Sequence, residues 1–336
     1  MRTIGVKITS LIERRQISLE YLSNKKIAVD AYNWIYQFLS TIRQIDGTPL
    51  MNSSGEVTSH LSGLFYRTTR LMKLGIKPVY VFDGTPPAFK YVLAERREKK
   101  QEARAKWREA LDKGDLVAAK SAAQATSRLT HEIKQQSKEL LTLLGLPVIQ
   151  APSEGEAQCS HLCAQGKVFA TASTDADSLL FGSTRLIRYL NMTGKRKVAG
   201  KNIYMDIKPE IIELKDLLDS TGLTRKQLII VGMLIGTDFN PGIRGYGPKK
   251  ALKLVKQEKT LSAVLKKVEW VGPEPETVFN FFMSPPVKDF DIEFSSVKKE
   301  KILKMLVDKF EFSQERIEKV LGEVTKKQKS GLGRFF

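Results

Sequence analysis

Seven carboxylates stand at the ends of five apolar runs in this chain. Asp30 follows KIAV, Asp83 follows VYVF, Glu154 and Glu156 follow PVIQAPS, Asp175 and Asp177 follow VFATAST, and Asp238 follows LIIVGMLIGT. Short apolar runs with polar flanks read as buried strands of a parallel sheet; the last is long enough for a helix. Open parallel sheets bind ligands in the crevice outside the carboxyl ends of their strands, so these acids converge there. One aspartate at a strand end commonly caps the next helix, but five such places in succession need another reason. Carboxylates so crowded cannot all stay ionised without cations. Hard oxygen donors with no His or Cys among them select Mg2+, with Mn2+ as a substitute.

The substrate follows from the bulk charge. The 336 residues carry 55 Lys and Arg against 37 Asp and Glu, a net charge of +18. An acidic, cation-binding crevice inside so basic a protein suits a nuclease: Lys and Arg neutralise a phosphate backbone, and paired metals cut it. The length fits one large or two modest domains. Cys159 and Cys163, four apart on an expected helix, lack a zinc pattern and read as small core residues in a reducing compartment. No apolar run approaches a membrane span and no secretory signal opens the chain, so a soluble, cytoplasmic monomer is expected.

Strand and helix signals alternate from Lys25 to about Gly182, giving an α/β fold with a mostly parallel central sheet flanked by helices. The alternation stops between Pro86 and Gly145. That stretch is rich in Ala, Lys, Arg and Glu, reads as helical, and is broken by DKGD. Its first half has a thin apolar stripe and crowds Lys90, Arg96, Arg97, Lys99 and Lys100 toward Asp83, as a gate for a nucleic-acid strand would. RLIRYLNMTGKRKVAGKNIYM reads as a hairpin with a basic tip. LTRKQLIIVGMLIGTDFNPGIRGYGPKKALKLVKQ reads as helix, glycine turn, helix, in which Gly242, Gly245 and Gly247 allow close backbone approach. Pro248 then opens a helix whose N-terminus, with Lys249 and Lys250, can take a phosphate. Residues 298–324 read as closing amphipathic helices, and KKQKSGLGRFF as a basic tail ending in two aromatics that suit a partner protein.

The motifs KIAVDA, TSHLSGLFYR, KPVYVFDGTPP, APSEGEAQ, STDADSLLFG, TGKRK and IGTDFNPGIRGYGPKKAL closely resemble those of the flap endonucleases, the structure-specific 5′ nucleases of the XPG type, in their archaeal form. The resemblance runs from about Gly5 to Phe336. It implies 5′ flap endonuclease and 5′-3′ exonuclease activity on branched DNA in replication and repair. It places a first metal around Asp83, Glu154 and Glu156, with Asp30 through water, and a second around Asp175, Asp177 and Asp238. Lys90 and Arg97 match the pair that neutralises the scissile phosphate, and Tyr36 the aromatic on which a base near the cut stacks. Arg43, Thr58 and Arg67 match the grip on the upstream duplex and its 3′ flap. The turn at Gly242 to Gly247 matches a helix–two-turn–helix that holds K+ and contacts the downstream duplex. The implied organisation is a nuclease domain over 1–325, with an arch insertion at about 86–135 and the helix–two-turn–helix at about 223–257, then a clamp-binding tail at 326–336 carrying Leu332, Phe335 and Phe336.

Two features depart from the family pattern. Met1 to Ile4 precede the glycine that matches the family's second residue, and Lys329 fills the clamp motif's glutamine slot, with Gln328 one residue early. Three other readings compete. Another superfamily nuclease would not need this compact arch and tail motif, and a single-strand RNase would not need the glycine turn and upstream-duplex motif. A non-catalytic branched-DNA binding protein requires a missing ligand, and all seven carboxylates are present.

Overall fold

The computed structural model describes residues 8, 11, 14–90, 92–191, 195–197 and 204–332, without the side chains of 92–100, 195–197, 204–206 and 327–332. The strands of its main sheet are β1 (Arg15–Gln16), β2 (Lys26–Asp30), β3 (Lys77–Phe82), β4 (Val148–Gln150), β5 (Ala170–Ala172), β6 (Arg185–Arg188) and β9 (Glu210–Glu213). Across the sheet they lie in the order β1-β9-β6-β5-β2-β3-β4. The five strands from β6 to β4 are parallel, while β9 runs antiparallel to both β6 and β1. β2, β3 and β4 proceed outward on one side and β5 and β6 on the other, so the order reverses between β2 and β5. That is the switch point at which such sheets bind ligands. β1 and β9, too short to show a periodicity, are additions that sequence reading missed.

The helices beside the sheet are built from apolar residues at helical spacing. α1 (Ala31–Thr41) buries Trp34, Ile35, Phe38 and Leu39, and Asp30 caps it by accepting a bond from the Asn33 N–H at 3.0 Å. α2 (Ser59–Lys73) crosses α1 closely because Gly63 lacks a side chain; a Cβ there would lie 2.2 Å from the Phe38 ring. Both pack on β3 with Tyr80 and Phe82 in one continuous core. Between β3 and β4 the chain leaves the sheet as α3 (Val92–Asp112) and α4 (Leu116–Ala123), then returns as α5 (His131–Leu143). The break expected at DKGD is there: Gly114 takes φ +69° and Asp115 caps α4.

α6 (Gly155–Ala164) follows β4 and α7 (Asp177–Leu180) follows β5. The segment expected as one hairpin from Arg185 divides: its first arm is β6 of the main sheet, and the hairpin is formed by the basic β7 (Lys195–Lys197) antiparallel to β8 (Tyr204–Asp206). α8 (Leu214–Thr221), α9 (Arg225–Ile235), α10 (Pro248–Glu258), α11 (Leu261–Leu265) and α12 (Pro275–Met283) share a second core around Leu228, Ile229, Phe239 and Phe282. An extended strap, 284–298, then runs over α6, held by the Gln158 carboxamide, which bonds both the C=O of Lys288 (2.7 Å) and its N–H (3.0 Å). α13 (Lys299–Leu303), a π-helical stretch and α14 (Gln314–Leu332) close the molecule over α2. The helix α14 runs to Leu332, so the segment read as a tail from Lys326 is helical up to that residue. Phe335 and Phe336 lie outside the described residues. No helix among the described residues is long and apolar enough to cross a membrane.

Gly84 sets the spacing of the crevice. Its N–H donates to the Ser153 carbonyl at 2.6 Å, and a Cβ there would stand 2.2 Å from the Ala151 carbonyl oxygen and 2.4 Å from that of Pro152. Asp83 and Glu154 are therefore brought together by a residue with no side chain. Gly84→Ala must push the β4–α6 turn away, at about 1–3 kcal/mol of stability as for other overpacked sites. Denaturant unfolding will show the lower midpoint, with cleavage falling further than stability alone explains.

Candidate active site

All seven carboxylates gather at the carboxyl edge of the parallel strands and the adjoining helix starts. Asp30 ends β2 and Asp83 follows β3; Glu154 immediately precedes α6 and Glu156 lies in its first turn; Asp175 and Asp177 lie at the start of α7; Asp238 follows α9. The strand β5 ends at Ala172, so Asp175 and Asp177 are placed by a turn and a helix start, not by the alternation of an extended strand. Asp30, Glu154 and Asp177 are buried, while the others keep some exposure.

Electrostatics show how close the acids are. Burial, then Glu154, push the Asp30 carboxyl up to about 6. Burial and Asp30 push Asp83 up to about 7. Burial, then Asp177, Asp175 and Asp30, raise Glu156 well above the usual carboxylate range, against a hydrogen bond from Ser173. Burial raises Glu154, opposed by Lys90 and reinforced by Asp83 and Asp238. The two sets of ligands implied by resemblance thus interleave: Asp177 and Asp175 act on Glu156, and Asp238 acts on Asp83, Glu154 and Lys90. Among the described residues no three His, Cys, Asp or Glu side chains are arranged to hold one ion. An all-carboxylate donor set in which burial and mutual repulsion raise the pKa of Asp30, Asp83, Glu154 and Glu156 suits hard divalent cations, which relieve both costs.

Lys90 supplies the one ammonium described inside this cluster. Its Nζ lies 2.7 Å from Glu154 Oε2, with both side chains nearly buried. Burial works to lower its pKa, but Glu154, Asp238 and Asp83 together hold it above its ordinary value. Residue 90 lies two positions before α3, so the charge stands at the foot of the inserted helices.

Comparison with known proteins agrees with this architecture. Residues 6–106 match the XPG N-terminal domain and residues 145–238 the XPG I-region. Flap endonuclease 1 of Pyrococcus furiosus is 52% identical over 331 residues, 98% of this chain and 97% of that protein. The chain belongs to the flap endonuclease family. The corresponding protein of Korarchaeum cryptofilum is 49% identical over 96% of this chain and 95% of its own length. The structure of flap endonuclease-1 from Methanococcus jannaschii superposes with a TM-score of 0.75 at 36% identity, covering 96% of this chain and 98% of that one.

The other residues that the flap endonuclease resemblance singles out are spread over α1 and the loop after it, α2, α3, the α9–α10 turn, α10 and α14. Tyr36 is exposed on α1, one turn beyond Tyr32. Arg43 is occupied within the protein, donating to the Leu39 and Gly47 carbonyls (2.8 and 2.7 Å) and to Ser127 Oγ (3.0 Å). It thereby ties the loop after α1 to the end of the inserted helices. Thr58 is buried at the start of α2, its N–H donating to Leu50, and Arg67 is half-buried on the same helix. Gly245 (φ +83°) and Gly247 have open space where a side chain would stand, and Lys249 and Lys250 are exposed in the first turn of α10. Gly242, at φ +77°, would put a Cβ 2.4 Å from the Ile235 carbonyl oxygen, which keeps the α9–α10 turn tight. The side chains of Arg97 and Leu332 lie outside the described residues. His60 and both cysteines are buried, Cys159 within electrostatic reach of Asp30, Glu156 and Asp83, and His161 pairs with Asp289 on the surface.

Sequence reading missed Asn33. Its backbone N–H donates to Asp30, and its carboxamide donates to Thr174 Oγ1 (3.1 Å) and Asp175 Oδ2 (3.3 Å). One residue thus links the acid of β2 to the acids after β5. An asparagine inside a helix carries no sequence signal of such a bridge.

The raised carboxyls fix a pH dependence. Their folded-state pKa values, about 6 and 7 for Asp30 and Asp83, exceed the ordinary 3.8. The folded state therefore holds more protons than the unfolded chain in that window, and the metal-free protein loses stability from these groups as pH rises from about 4 to about 7. Divalent cations compete with those protons. Thermal melts should show Mg2+ raising the midpoint distinctly at pH 7.5 and little at pH 5.

Proposed function

We infer that this chain is a structure-specific 5′ flap endonuclease, cutting phosphodiester bonds at the base of single-stranded 5′ flaps, with 5′-3′ exonuclease activity. The observation that carries the reading is Lys90: a buried ammonium at the foot of a basic helical insertion, seated among the acids at the switch point of the sheet. A non-catalytic DNA-binding protein has no use for carboxylates that repel both phosphate and one another.

Asp30, Asp83, Glu154, Glu156, Asp175, Asp177 and Asp238 would hold two Mg2+, which Mn2+ can replace. When bound, paired divalent cations supply a hydroxide at neutral pH and a clamp on the scissile phosphate. The chain's own residues do the rest. Asn33 and Ser173 orient the Asp175 and Glu156 carboxylates by donating to them. Lys90, together with Arg97 of α3, would offer positive charge to the phosphate as negative charge develops in the transition state. Tyr36 gives an exposed aromatic face for an unpaired base. The helices of 86–135 form an arch that admits a free single strand and excludes a duplex. Thr58 and Arg67, with the loop shaped by Arg43, grip the upstream duplex. The open backbone at Gly245 and Gly247, with Lys249 and Lys250, meets downstream phosphates; K+ held by carbonyls of that turn is part of the same reading. The C-terminal Leu332, Phe335 and Phe336 would supply the apolar contacts to a sliding clamp, and the enzyme would work as a cytoplasmic monomer.

Asp177→Ala should abolish cleavage while flap binding stays within about twofold, since removing an anion does not weaken phosphate affinity. Lys90→Ala should slow the single-turnover rate by about 10²–10³-fold with a smaller change in the dissociation constant. A Lys90 variant with a normal single-turnover rate would reduce that residue to a backbone contact. For the tail, replacing Phe335 and Phe336 by Ala should erase stimulation by the cognate clamp and leave clamp-free cleavage intact, read by calorimetry and flap cleavage together.

A further inference from the structure

The inserted helices leave the sheet after β3 and rejoin it before β4. Lys90 stands before α3 on the outgoing side. On the returning side, the fourth residue of α5 is Lys134, whose Nζ lies 5.2 Å from the centroid of the Tyr32 ring. Tyr32 is two residues beyond Asp30, and its ring meets that of Phe82, the residue before Asp83, edge-on at 5.8 Å and 88°. The one ring thus meets both Phe82 and Lys134. A ring face holds an ammonium through its quadrupole while leaving the three N–H donors to other partners. No carboxylate among the described residues pairs with Lys134.

One turn later Lys138 is engaged differently. It lies 5.2 Å over Phe82 and donates to Gln150 Oε1 at 2.7 Å, and Gln150 in turn donates to the Asp83 carbonyl at 2.6 Å. Lys138 thus braces the strand end, and Lys134 is the cation of this helix left to face a ligand. We propose that Lys134, held over Tyr32, is a phosphate-binding residue that grips the single strand passing under the inserted helices, opposite Lys90. The ligand is the sugar-phosphate backbone of that strand. This rests on the flap-endonuclease reading. It adds a contact on the returning side, supplied by a tyrosine–lysine pair.

The experiment is fluorescence anisotropy of the full-length protein, with Ca2+ in place of Mg2+, on a 5′-flapped junction and on the same duplex arms without the single strand. Lys134→Ala should weaken flap binding about three- to tenfold and flatten the slope of log K against log salt by about 0.7, the single-strand value for one phosphate contact. Its affinity for the flapless arms should not change, and Lys134→Arg should restore the flap. Tyr32→Phe should behave as the parent, whereas Tyr32→Ala should lose part of the effect. The Tyr32→Ala, Lys134→Ala double variant should bind no worse than Lys134→Ala alone, because the ring acts through the lysine. An unchanged salt slope in Lys134→Ala, an equal loss on flapless arms, or additive losses would each overturn the proposal. A parent that neither prefers nor cuts the flap would instead bring down the nuclease reading.

Discussion

The mutual repulsion of carboxylates at one edge of a parallel sheet is the constraint on which the rest of this molecule depends. Two unit charges 4 Å apart still interact by about 4 kcal/mol at an effective dielectric constant near 20. Folding this chain therefore works against its own active site, and the opposing contributions can be named. Lys90 supplies charge, the Gly155 and Asn33 backbone N–H groups bond Asp83 and Asp30, and Asn33 and Ser173 hold the acids after β5 and in α6. Large apolar cores on both sides of the edge supply the stability that offsets what remains.

The same constraint accounts for the placement of glycines and straps around the site. The acids are carried by separate elements, so their spacing is only as firm as the contacts between those elements. Gly84 lets two turns touch, and Gln158, two residues beyond Glu156, fastens α6 to the strap over it. Neither residue reaches a reacting atom, yet each fixes where a carboxylate stands.

Much of this was legible in the sequence because it rests on local pattern. Apolar runs ending in Asp announced β2 and β3, and the long run before Asp238 announced α9. The break at Gly114 and Asp115 was equally plain. What the sequence concealed depends on partners far along the chain. The antiparallel strands β1 and β9 are two and four residues long and exist because each pairs with the other or with β6. The interleaving of Glu156 with Asp175 and Asp177 follows from how α6 and α7 pack, which i,i+2 spacing does not encode. Family resemblance assigns Arg43 to the upstream-duplex grip, and its three internal hydrogen bonds emerge only in three dimensions. At the C-terminus the helix continues to Leu332 because Lys and Gln favour helix and the apolar Ile317, Leu321 and Val324 pin it to the core.

The central claim is that the crowded acids exist to hold two cations that act together on one phosphate. It is tested most directly by the single-turnover cleavage rate of a 5′-flap substrate, pre-bound and at fixed pH, as a function of free Mg2+. Two cooperating ions require the rate at low Mg2+ to rise with a log–log slope approaching two before it saturates. A slope of one across the whole range, or cleavage that persists in EDTA, would contradict the account.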